Sequence, residues 1–122
     1  TMRDYTVAKE FKVGNFDIII DWTYEDLSLD YVFETAEEVA VHAKRCNDWL
    51  DTHYAARVRA MYNGVEMGCD YLGSCYAYEC TPEEDIEQEI SGYLEQMIDT
   101  ALDQAQTEAV AMLDRLKADF LS

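Results

Sequence analysis

The chain has 122 residues, 49% of them hydrophobic, and carries 9 lysines and arginines against 26 aspartates and glutamates, a formal net charge of −17. That hydrophobic content excludes a disordered acidic tail, and the length suffices for one domain with a real core. A charge well beyond the roughly 2–8 that keep a small domain soluble disfavours direct contact with DNA, RNA or anionic lipid, which reward positive charge.

Nothing in the sequence resembles a signal peptide, and no apolar run approaches the ~20 residues of a membrane span. The expectation is a cytoplasmic protein forming a single domain over 1–122, with Thr1 an expression scar before a natural start at Met2. Cys46, Cys69, Cys75 and Cys80 then read as reduced thiols.

In chain order, residues 5–13 alternate loosely and suit a strand, Gly14-Asn15 is a turn signal, and the β-branched and aromatic run 16–22 reads as a second strand paired to the first. The stretch 24–34 fits either an irregular loop or a third strand with Leu27, Leu29, Tyr31 and Phe33 on one face. Thr35 and Glu38 form a capping box, which predicts a helix to about Thr52 with Val39, Ala43, Cys46, Trp49 and Leu50 on its apolar side. Residues 54–62 alternate again, placing Ala56, Val58, Ala60 and Tyr62 on one face and Arg57 and Arg59 on the other. Asn63-Gly64 predicts a type I′ hairpin turn, because both residues tolerate positive φ. The returning strand is 65–72, bent at Gly73-Ser74, with 75–79 able to continue the sheet.

Thr81, Pro82 and Glu84 supply the cap, first turn and third position of a further helix. Gly92 is expected to separate a short helix, 82–90, from a long one, 93–120, with an apolar stripe through Ile90, Leu94, Ile98, Ala101, Ala105, Ala109, Met112, Leu116 and Phe120. About 28 residues span roughly 42 Å, long against a radius of gyration of about 14 Å for a chain of this size. The stripe therefore packs on the sheet, or partly on a second copy of the protein. The fold class is α+β: an antiparallel sheet of four to five strands from two hairpins, one intervening helix and a long C-terminal helix.

The charge is unevenly spread. Between Arg59 and Arg115 there is no lysine or arginine, yet thirteen carboxylates occur. Self-repulsion on that scale works against folding and calls for compensation, most simply by a basic partner. Glu83, Glu84, Asp85, Glu87 and Glu89 cluster at the start of the short helix, where part of their charge suits the helix dipole. Glu95, Asp99 and Asp103 repeat at i, i+4, i+8, one row about 6 Å apart per step on the side away from the apolar stripe. A DNA strand presents one phosphate per 3.4 Å of axis rise and somewhat farther along its tilted backbone, so the row approximates its charge density. Tyr76 and Tyr78 add contact area at low entropic cost beside this acidic segment.

Plainer readings stand beside this one. Charge runs are commonly solvated helix faces, and acidic, lysine-poor surfaces also occur in adaptation to high salt. An EF-hand is excluded because no D-x-[DN]-x-[DN]-G loop occurs, which leaves only a looser divalent site on Glu83, Glu84, Asp85 and Glu87. His42 and Cys46 share an i, i+4 spacing suited to a metal, but the cysteine spacings fit no common knuckle and Cys46 falls on the apolar stripe. No glycine-rich phosphate loop, nucleophile elbow or recognisable Cys–His context is present, so no enzymatic role, cofactor or metal is expected.

In size, in its pI of about 4.1 and in its acidic C-terminal half, the chain resembles the small acidic anti-restriction and anti-CRISPR proteins of phages and plasmids. Many of these are similar to DNA in surface charge. The resemblance carries no shared motif, so no residue role is transferred by it. It implies a DNA-mimic inhibitor in the host cytoplasm that binds the nucleic-acid site of a basic host defence protein, without touching nucleic acid or membrane. The alternative is a non-enzymatic interaction module, a homodimer joined through the C-terminal helix.

Overall fold

The computed structural model describes residues 4–88 and 91–121. Four strands, β1 (Thr6–Val13), β2 (Phe16–Tyr24), β3 (Thr52–Tyr62) and β4 (Val65–Ala77), form one antiparallel sheet in sequential order. Helix α1 (Ala36–Asn47) lies between β2 and β3 in the chain, yet those strands pair directly, Asp21 opposite Arg57 and Ile20 opposite Val58. After the sheet come α2 (Pro82–Gln88) and α3 (Ser91–Phe120). This is the α+β architecture expected, with four strands.

Strand periodicity decides what the sheet buries. Ile18, Ile20 and Trp22 on β2 and Tyr54, Ala56, Val58 and Ala60 on β3 point to one face, where Ile86 of α2 and Met97, Ala101 and Ala105 of α3 cover them. Each fully buried large aliphatic side chain in that layer contributes roughly 1.5–3 kcal/mol. The centre of the α3 contact is therefore Met97–Ala101–Ala105, with Leu94, Ile98 and Leu102 flanking it. Small residues at that centre have a clear cause. A Cβ on Gly68 of β4 would lie 2.0 Å from the Ala101 carbonyl oxygen and 2.9 Å from the Ala105 nitrogen. Helix and strand backbones approach so closely that neither side has room for a larger group.

The opposite face carries the arginines. Arg57 holds Asp21 with two bonds of 2.8 and 2.6 Å, and Arg59 adds a third at 3.1 Å. The Arg57 guanidinium also lies 3.6 Å from the centre of the Tyr5 ring. The hydrogen bond to Asp21 raises the Arg57 pKa above its ordinary value. Asp21 is thus buried with Arg57 and Arg59 as its partners.

Several local expectations hold. The Glu38 N–H donates to the Thr35 hydroxyl oxygen and the Thr35 hydroxyl donates to the Glu38 carboxylate at the start of α1, while at α2 the Glu84 N–H donates to the Thr81 hydroxyl oxygen and the Thr81 N–H to the Glu84 carboxylate. Asn63 and Gly64 both adopt positive φ, 47° and 79°, as a type I′ turn needs. The segment 24–34 forms no third strand: Tyr24 ends β2, and the rest is loop with a short 3-10 turn at Leu29–Tyr31, which leaves Tyr31 and Leu27 exposed and Phe33 buried.

Two boundaries differ. Helix α1 stops at Asn47, not near Thr52, because Trp49 N–H donates to the Cys46 carbonyl and Leu50 N–H to the Arg45 carbonyl. That pair of bonds is a Schellman closure, and it puts Trp49 in the left-handed region at φ 61°. Trp49 and Leu50 consequently leave the apolar stripe and face solvent. Gly92 does not separate two helices, since α3 already begins at Ser91. Glu89 and Ile90 lie outside the described residues.

Candidate functional site

The acids of the basic-free stretch divide by what they do. Glu83 accepts the Trp22 indole N–H at 2.7 Å, and Glu84 closes the α2 cap. Glu87 pairs with Lys9 at 3.1 Å, Glu79 with Arg45 at 2.7 Å, and Glu108 with Arg115 at 3.0 Å. Asp85 is 1% exposed and accepts the Tyr54 hydroxyl at 2.5 Å. Burial and that bond hold the Tyr54 hydroxyl protonated far above the ordinary phenol range. Asp85 therefore belongs to the core and not to the surface, although its neighbours in sequence suggest a surface role.

Tyr76 is corrected in the same way. It is 7% exposed, packed at right angles on Phe33, and its hydroxyl donates to Asp51 at 2.6 Å. Asp51 in turn accepts from Arg45 at 2.8 Å and from the Glu79 backbone N–H at 3.0 Å. This knot fastens α1 to the end of β4. Tyr78 lies 4.6 Å from the Tyr76 ring but is exposed, so only Tyr78 of the two presents a surface.

Glu95, Asp99 and Asp103 remain. All three are exposed on α3, and none makes an ion pair or a hydrogen bond to another described residue. Four residues at 1.5 Å separate each from the next by about 6 Å along the axis. Their helix is fixed from behind by the Gly68 contact and by the Gln104 side chain, which accepts the Cys69 backbone N–H at 3.0 Å. The row is a rigid line of three charges, and folding uses none of them.

A second acidic feature surrounds the start of α2. Glu79, Glu83 and Glu84 line a cleft of ≈ 450 Å³ whose rim includes Tyr24, Trp49 and Leu50. Trp49 is 81% exposed. A bulky residue held in the left-handed region where glycine is usual carries backbone strain. Sequence reasoning missed Trp49 as a surface residue because helical spacing fitted it to the α1 stripe. The Asn47-Asp48 pair just before it, two poor helix formers, is the signal that the helix ends earlier.

The metal candidates are otherwise engaged. His42 Nδ1–H donates to the Glu38 carbonyl at 2.8 Å and its ring stacks 3.8 Å from Phe33, while the Cys46 thiol donates to the Tyr76 hydroxyl oxygen at 3.6 Å. Among the described residues no group of three or more His, Cys, Asp or Glu side chains converges as a metal site would. No described helix is long and apolar enough to cross a membrane.

No protein-family model matches the chain, and neither a curated protein nor a solved structure shows significant similarity to it.

Proposed function

We propose that the protein is a small acidic inhibitor that occupies the nucleic-acid-binding site of a basic host defence protein, a restriction or CRISPR effector, by imitating the charge of a DNA strand. The observation that carries this reading is the Glu95–Asp99–Asp103 row, exposed, unpaired and rigidly backed. Charges left uncompensated in a chain of net charge −17 oppose its own folding, and a cationic cleft is the partner that compensates them. Tyr78 and Trp49 supply exposed aromatic area of the kind that anchors protein interfaces. Glu83, Glu84 and Glu87 add field while serving the fold.

The test is displacement of fluorescent duplex DNA from purified restriction endonucleases and CRISPR effector complexes across a salt series. Neutralisation of Glu95, Asp99 and Asp103 to glutamine and asparagine removes three interfacial charges, and reversal to lysine adds repulsion to that loss. At about 1 kcal/mol each, the neutralisation alone weakens inhibition about 150-fold. Inhibition indifferent both to salt and to this reversal would refute the proposal.

A further inference from the structure

The C-terminal half of α3 leaves an apolar seam unpartnered. Leu113 and Leu116 are 51% and 49% exposed, and Phe120 is 76% exposed. Beside them a groove of ≈ 680 Å³ runs between α3 and the two hairpin ends, lined by Val13, Phe16, Tyr62, Leu102, Leu113 and Leu116 among others. We propose that this groove and the exposed helix end are filled by a second copy of the chain, the two α3 helices crossing antiparallel about a two-fold axis near residue 111.

The spacing supports that occupant. Leu102, at the edge of the sheet contact, and then Gln106, Ala109, Leu113, Leu116 and Phe120 follow steps of 4, 3, 4, 3 and 4, the 3.5-residue period of helix pairs. The series reads the same in both directions about residue 111. An antiparallel partner therefore sets each seam residue against another: Leu102 with Phe120, Gln106 with Leu116, Ala109 with Leu113. Phe120 of each copy enters the other's groove beside Val13 and Phe16. Such a contact is isologous and closes after two copies.

Charge and area point the same way. A protein of −17 repels itself over most of its surface, but Asp114, Arg115, Lys117 and Asp119 make this segment neutral. Among the described residues Lys117 is the one lysine or arginine without an ion pair. In the antiparallel register it falls on the same flank as Asp103 of the second copy, offset by about 3 Å along the axis. A compact monomer of 14.1 kDa exposes about 6,700 Å², whereas this chain exposes 8008 Å². The excess of about 1,300 Å² exceeds the roughly 800 Å² that a stable interface removes from each partner. This pairing takes Asp103, the end of the acid row, as a contact, so its test reads association alone and not inhibition.

Sedimentation equilibrium between about 1 and 200 µM tests it. Wild type is expected to run at twice the 14.1 kDa chain mass. Leu113→Asp/Leu116→Asp is expected to run as monomer with unchanged far-UV circular dichroism. Lys117→Glu, on the exposed flank, is expected to raise the dimer dissociation constant at least tenfold at low salt, and Asp103→Lys in the same chain to restore it. A wild-type monomer at every concentration, a dimer that survives Leu113→Asp/Leu116→Asp, or Lys117→Glu without effect would overturn the proposal.

Discussion

Asp99 is the middle charge of the acid row, and replacing it with asparagine removes both repulsive neighbours at once. Glu95 and Asp103 sit one turn away on either side, exposed and unpaired within the chain. Like charges at i, i+4 each cost roughly 0.2–0.5 kcal/mol, so Asp99→Asn stabilises by about 0.4–1 kcal/mol. At about 2.1 cal/mol/K of unfolding entropy per residue, a chain of 122 residues gains about 2–4 °C in Tm. Screening supplies the internal control. At 1 M salt the Debye length is about 3 Å, shorter than the ~6 Å step, and the gain should vanish. Differential scanning calorimetry in 20 mM and 1 M salt measures both, and DNA displacement on the same variant should show weaker inhibition as stability rises. A Tm that falls on substitution, or a gain unchanged by salt, would show that the Asp99 charge already has a use within the fold. The argument for an external cation would then fail.

Gly68→Ala is expected to destabilise by about 1–3 kcal/mol in urea unfolding, since its Cβ would meet the Ala101 carbonyl at 2.0 Å; a neutral result would mean that α3 sits farther from β4. Trp49→Gly should stabilise by about 1 kcal/mol, because it relieves a left-handed cap while giving up little buried surface. The same change should weaken inhibition if Trp49 is an anchor, and a loss of stability would instead show that the indole packs. Burial lowers the His53 pKa below 6.5, opposed by the Glu25 charge, and His53 Nε2 is buried with no hydrogen-bond partner among the described residues. The folded state therefore refuses a proton that the unfolded state accepts. The contribution is intact above pH 6.5 and is lost as the pH falls below that toward the folded value. Comparison of wild type with His53→Gln between pH 8 and 5 should show a stability gap that moves against wild type on acidification, and a constant gap would refute the assignment.

Local chemistry made much of this protein legible from its residues. Both hairpins, both capping boxes and the two faces of β3 follow from period-2 alternation, Asn63-Gly64, Thr35 with Glu38 and Thr81 with Glu84. These interactions lie within a few residues of one another and need no distant partner. The isolation of the Glu95–Asp99–Asp103 row was legible too, because no cation lies near it in sequence.

What only the tertiary structure decided are the matters settled across long separations. Asp85 and Tyr76 look like members of an acidic, aromatic surface, but Tyr54 and Asp51 draw their polar atoms inward from 31 and 25 residues away. The α3 contact is centred on Met97 rather than Ile98 because Gly68 admits the helix backbone at Ala101 and Ala105. Trp49 is exposed because a backbone closure, and not apolar spacing, ends α1. Periodicity tells which side of a helix is apolar. Only the assembled sheet shows how much of that side it can cover, and here it covers α3 through Ala105 and leaves Leu113, Leu116 and Phe120 exposed.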